Sequence, residues 1–100
     1  MISLGEYLRN LRLSKNLKIK FVAEQLSLDP SLLSKFERDE RKPTSEQVAF
    51  LAAFYKVTEK KLSILLLSDK IAEELKYSTF TSEILKAAEE KILYKKKEIL

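Results

Sequence analysis

The chain has 100 residues, the size of one small domain, with 45% apolar residues, 34% charged residues and a formal net charge of +4. It contains no His, no Cys and no Trp, one Gly and two Pro. Zinc fingers, Ser-His-Asp and Cys-His pairs, imidazole metal sites, disulfide scaffolds and Gly-rich phosphate loops are thereby excluded. Leu, Lys, Glu and Ala dominate and helix breakers are scarce, so the composition predicts an ordered, all-α chain. No apolar run approaches the ~18 residues of a membrane span. The N-terminus lacks the basic-then-apolar order of a secretory signal, so a cytoplasmic protein with no membrane partner is expected.

In chain order, the first periodic segment is Ser3 to Ser14, with Leu4, Tyr7, Leu8 and Leu11 at helical spacing. Ser3 followed by Glu6 has capping-box spacing, and Asn16 is the expected stop. A second, two-turn helix spans Ile19 to Leu26. Asp29-Pro30 is a helix start, with Asp29 as N-cap and Pro30 at the first position. The third helix then runs to Arg38, with Leu32, Leu33 and Phe36 facing in. Pro43 disfavours helix at Lys42, making Asp39 to Thr44 a charged loop. Thr44 or Ser45 caps the fourth helix, whose apolar face is Val48, Leu51, Ala52 and Tyr55 with Phe50 and Phe54 beside it. Thr58 caps the fifth, which carries Leu62, Leu65 and Leu66 and continues towards Ile71, Ala72 and Leu75. Tyr77 to Ser82 reads as a connector. The last helix carries Ile84, Leu85, Ala88, Ile92 and Ile99 on one face.

Residues 17 to 43 bear on function. Two short helices joined by a four-residue turn, the second with its apolar residues on one side, have the geometry of a helix-turn-helix. Such a unit braces one helix and projects the polar residues of the other into a major groove about 12 Å wide. The run Leu17-Lys18-Ile19-Lys20-Phe21-Val22-Ala23-Glu24-Gln25-Leu26, the segment Ser27 to Arg38 and then Arg41-Lys42-Pro43 resembles the XRE, or Cro/C1-type, helix-turn-helix family, the lambdoid phage repressors and their bacterial relatives. The resemblance covers Ser3 to Leu67. Ala23, Leu33-Ser34-Lys35, Glu37 and Pro43 fall at the family's spacing.

The resemblance implies a five-helix DNA-binding domain at residues 1–67 and a C-terminal helical extension at 68–100. It implies a buried ion pair between Arg12 and Glu37, base reading by Ser31, Ser34 and Lys35, and DNA-backbone contacts from Lys18, Lys20, Arg38, Arg41 and Lys42. The chain departs from the family's pattern at several positions. Lys18 and Ile19 stand where a Thr cap and a Gln are usual, and Ser27 replaces the turn's Gly. Asp39 replaces the Gly after the recognition helix, and with Glu40 it puts negative charge where neutral or basic residues are usual.

The stripe Leu85, Ala88, Ile92 and Ile99 is too apolar for a solvated tail, so it folds back on its own domain or covers another subunit. Family members usually bind DNA as two-fold dimers. The expected interface is the sixth helix with the end of the fifth, anchored by Tyr77, Phe80, Leu85, Ala88, Ile92 and Tyr94. The leading expectation is a homodimeric, sequence-specific regulator of transcription, a repressor or controller protein, in one setting that of a restriction–modification system. It would bind a palindromic operator in double-stranded DNA. An antitoxin or other protein-interaction module on the same fold is the alternative. Paired acids such as Glu73-Glu74 and Glu89-Glu90 point to different helix sides, and no base, nucleophile or cofactor motif joins them, so no enzyme is expected. Nor is a metal, cofactor or small-molecule ligand.

Charge distribution sharpens the total. Residues 1–44 hold nine basic and six acidic side chains, a surplus of three, against a surplus of one in residues 45–100.

Overall fold

A computed structural model describes residues 1–99, except for the side chain of Ile99, the last member of the expected C-terminal stripe, which lies outside the described side chains. Among the described residues six helices follow in order: α1 (Leu4–Ser14), α2 (Ile19–Gln25), α3 (Pro30–Glu37), α4 (Ser45–Tyr55), α5 (Glu59–Leu75) and α6 (Thr81–Ile99). No strand occurs among the described residues.

The helix starts follow local side-chain chemistry. Ser3 Oγ accepts the Glu6 N–H, Asp29 that of Ser31, and Thr58 Oγ1 that of Lys61. Thr44 and Gln47 form a reciprocal capping box. Each of these acceptors satisfies an N–H that the first turn leaves without an intrahelical partner. By contrast α2 begins at Lys18 with no side-chain cap, as expected where a Lys replaces a Thr.

The ends of α1 to α4 share one device. Asn16, Ser27, Asp39 and Lys56 take φ of 55°, 54°, 60° and 57°. After α2, Ser27 N–H reaches Glu24 O at 3.2 Å and Leu28 N–H reaches Ala23 O at 2.9 Å, a Schellman pair. Asn16 and Asp39 close α1 and α3 in the same way. Glycine normally fills such left-handed positions because a Cβ there costs about 1–2 kcal/mol.

The sole glycine is used elsewhere. A Cβ on Gly5 would meet the Phe36 carbonyl oxygen, lie 2.5 Å from Asp39 Oδ1 and 2.8 Å from the Glu37 carbonyl oxygen. Gly5 therefore lets the start of α1 lie against the end of α3. Asp39 Oδ1 accepts the Gly5 N–H at 3.0 Å, and Asp69 Oδ2 accepts the Leu4 N–H at 2.8 Å. Two carboxylates from distant loops and helices thus meet the positive end of the α1 dipole.

α1 packs on α3 and α5, α2 on α3, and α4 on α5. One core joins them, built from Leu4, Leu8, Val22, Ala23, Leu33, Phe36, Val48, Leu51, Ala52, Tyr55, Leu62, Leu65 and Leu66. The four buried positions of α4 are those expected from its periodicity. Past Leu66, α5 leaves the core: Leu67 and Ile71 are each about half exposed, in line with Ile64 on the outer side of the preceding turn. Every residue of α6 from Thr81 to Glu98 is exposed, so α6 does not fold back over the domain.

Candidate nucleic-acid interface

The pose of α3 is set from behind. Arg12 of α1 forks onto Glu37 at the end of α3, Nε to Oε2 at 2.8 Å and Nη2 to Oε1 at 3.0 Å, while Nη1 donates to Leu17 O at 2.9 Å. The pair is nearly closed to solvent, with side chains 11% and 3% exposed. Hydrogen bonding to Glu37 raises the Arg12 pKa further, so the guanidinium stays charged. The Tyr55 hydroxyl, within the field of both charges, is buried with no hydrogen-bond partner, and burial pushes its pKa up to about 12.

With Leu33, Phe36 and Glu37 buried, α3 turns the opposite side outward. Ser31, Ser34, Lys35 and Arg38 fall within one third of the helix circumference at 3.6 residues per turn. Ser31, Lys35 and Arg38 are exposed and Ser34 is half-buried. The helix-turn-helix therefore presents the expected base readers together. Lys18 and Lys20 at the start of α2 are exposed as well.

The remaining bases of this region lie beside acids. Arg38 forks onto Glu40, Nε to Oε1 at 3.2 Å and Nη2 to Oε2 at 3.0 Å, and gives Nη1 to Ser34 Oγ at 3.0 Å. Hydrogen bonding from Arg38 lowers the Glu40 pKa. Both side chains are more than half exposed, so solvent and salt screen the pair, whose bidentate geometry nonetheless orients the guanidinium. Arg41 and Lys42 line an open cleft of about 640 Å³ with Asp39, Glu40, Asp69 and Glu73. The two acids after α3 thus have partners within the fold: Asp39 accepts from Gly5 N–H and from Ser3 Oγ at 2.6 Å, and Glu40 holds Arg38.

The residues expected at a dimer interface are all exposed, Tyr77 at 89% and Phe80 at 65% among them. Leu85, Ala88 and Ile92 share one face of α6 with Ile84 by helical spacing. Tyr94 lies apart from them, in a surface groove with Ala87, Glu90, Lys91 and Lys95. The sequence reading of α5, built on Leu62, Leu65 and Leu66, does not single out Ile64, Leu67 and Ile71 as a row, which the structure leaves uncovered. The 64, 67, 71 spacing was visible, but its direction depends on where α5 leaves the domain. Between α5 and α6 an open, mainly apolar groove of about 580 Å³ runs past Ile71, Leu75 and Leu85.

Among the described residues no cluster of acids suits a metal ion, and no helix is long and apolar enough to cross a membrane. A family model described as helix-turn-helix matches residues 8–62. No curated protein matches the chain.

Proposed function

The chain belongs to the XRE-type helix-turn-helix family of DNA-binding transcription regulators, and from that premise we propose that it is a sequence-specific, cytoplasmic regulator acting as a homodimer on a palindromic operator. The observation that carries the reading is the outward face of α3, where Ser31, Ser34, Lys35 and Arg38 stand together while Arg12–Glu37 holds the opposite side down. Lys35 is a donor to guanine O6 and N7, and Ser31 and Ser34 reach the same groove. Lys18, Lys20, Arg38, Arg41 and Lys42 contact phosphates, each adding to the salt dependence. Arg38 does so with the N–H groups that Glu40 and Ser34 leave unused.

Two copies reading half-sites ~34 Å apart need a two-fold joint. The uncovered face of α6 with Tyr77 and Phe80 supplies it. Occupancy of a promoter-proximal operator then controls transcription without chemistry, the mode of a repressor or of a controller protein in a restriction–modification system. The same uncovered α6 favours a second reading, in which a different protein covers it, as in an antitoxin.

Selection of bound duplexes from a random DNA pool tests the first reading. One enriched palindrome is the expected outcome. Lys35→Ala then lowers affinity for that site more than for random DNA, and Arg41→Ala weakens both alike. A pool in which nothing is enriched at low salt refutes the regulator reading. An enriched sequence without two-fold symmetry refutes the dimer.

A further inference from the structure

Two hydroxyls on the outward face of α3 are tied into the protein in opposite senses. Ser31 Oγ donates to Asp29 Oδ1 at 2.6 Å, and Ser31 N–H donates to the same oxygen at 2.7 Å. An ionised carboxylate only accepts, and these bonds lower the Asp29 pKa and keep it ionised. The one hydroxyl proton of Ser31 is therefore taken up by the Asp29 carboxylate, and only lone pairs remain for a base. Ser34 Oγ instead accepts from Arg38 Nη1 at 3.0 Å. A guanidinium only donates, so the Ser34 proton stays available. Arg38 is held on Ser34 by the Glu40 fork, which occupies Nε and Nη2.

A serine without such ties reads donors and acceptors alike. We propose that Ser31 and Ser34 read opposite polarities in the major groove: Ser31 accepts from an exocyclic amino group, adenine N6 or cytosine N4, and Ser34 donates to an acceptor, purine N7, guanine O6 or thymine O4. The proposal rests on the DNA-binding reading above. The two residues are three positions apart, about 4.5 Å along the helix axis at 1.5 Å per residue, close enough to reach the same or neighbouring base pairs, which stack about 3.4 Å apart. Glu40 touches no base in this arrangement. It is a positioning residue, acting through Arg38 on the polarity of Ser34.

The test uses the full chain and the operator enriched from the random pool, remade with single groups deleted. Acceptors are removed with 7-deazapurines for N7, 2-aminopurine for guanine O6 and 5-methyl-2-pyrimidinone for thymine O4. Amino groups are removed with purine for adenine and 2-pyrimidinone for cytosine. Binding is compared for the wild type, Ser31→Ala, Ser34→Ala and Glu40→Gln. Any general disturbance of base pairing affects all four proteins, so the coupling isolates the contact. One acceptor deletion should weaken wild-type binding by about two- to tenfold, the worth of one hydrogen bond, and cost nothing further in Ser34→Ala. One amino deletion, at the same or a neighbouring pair, should behave in the same way towards Ser31→Ala. Glu40→Gln should shrink the acceptor penalty and leave the amino penalty intact. Reversed coupling, or no coupling at either serine, overturns the proposal. Failure to enrich any operator overturns the DNA-binding reading beneath it, and the presence or absence of an operator tells the two failures apart.

Discussion

Replacing Arg12 by Met tests the joint that sets the pose of the recognition helix. The substitution keeps an unbranched side chain of similar reach and removes only the guanidinium. Glu37, whose side chain is 3% exposed, then loses both of its charged hydrogen bonds, and Leu17 O loses its donor. Breaking a buried pair from one side costs about 3–5 kcal/mol, whereas an exposed pair is worth about 0–1 kcal/mol. Total stability for a domain of this size is about 5–15 kcal/mol, so the loss is a large share of it. At about 4–8 °C per kcal/mol, the melting temperature should fall by roughly 12–40 °C. The double variant Arg12→Met/Glu37→Leu removes both charges and should recover most of that loss, because an apolar pair of similar volume carries no desolvation penalty. Urea unfolding followed by helical circular dichroism gives each free energy, with unchanged slopes showing that only stability has moved. A single substitution costing under about 1 kcal/mol refutes the buried-pair reasoning. So does a double variant whose loss equals the sum of the two single ones.

Tyr55→Phe deletes a buried hydroxyl with no partner, and at pH 7 the variant should be no less stable than the wild type, with a gain of up to about 1–3 kcal/mol. The phenol pKa lies at about 12 in the folded chain against 10.0 ordinarily. Above pH 10 the unfolded chain releases this proton and the folded chain keeps it. Wild-type stability should therefore be constant, as far as Tyr55 is concerned, below pH 10 and fall by about 2–3 kcal/mol between pH 10 and 12. Tyr55→Phe lacks that fall, and parallel pH profiles for the two proteins would falsify the assignment. Gly5→Ala sets two effects against each other: helix propensity favours Ala by up to about 1 kcal/mol, while the new Cβ collides with the carbonyl oxygens of Phe36 and Glu37, which belong to α3 and cannot swing aside. The collision should win by about 1–3 kcal/mol, and equal or higher stability in thermal melts would count against the close approach of α1 to α3.

What was legible in the sequence was what acts within a turn or two. Asp29-Pro30, Ser3 and Thr58 announce helix starts because a short oxygen side chain reaches an N–H two or three residues on. Asn16 and Asp39 mark helix ends for a different local reason, since Asn and Asp tolerate the left-handed φ that closes a helix better than most residues do. The inward face of α4 follows from its spacing. The contacts that orient the candidate interface were hidden because they join residues remote in sequence. Asp39 to Gly5 N–H spans 34 positions and Asp69 to Leu4 N–H spans 65; no periodicity or spacing rule connects such pairs. The second of these contacts also ties α5 to α1 beyond residue 67, the expected end of the DNA-binding domain. The direction of α6 was equally hidden, since an apolar stripe specifies a cover but not whose.

These remote contacts change the electrostatics of the interface. Counted along the chain, Asp39 and Glu40 stand directly after the recognition helix and oppose a polyanion. In the fold, Asp39 turns both oxygens to the start of α1, accepting from Ser3 Oγ and Gly5 N–H. There the helix dipole and the two donors offset its charge. Glu40 is matched by Arg38. Glu37 is matched by Arg12 in the interior. Three of the six acids in residues 1–44 are thus offset within the fold, at the expense of two bases. Lys18, Lys20 and Lys35 are exposed and enter no ion pair among the described residues. The field that α2 and α3 present is therefore more positive than the surplus of three suggests. At a Debye length of about 8 Å in physiological salt, a DNA backbone responds to these nearby lysines rather than to the chain's total of +4.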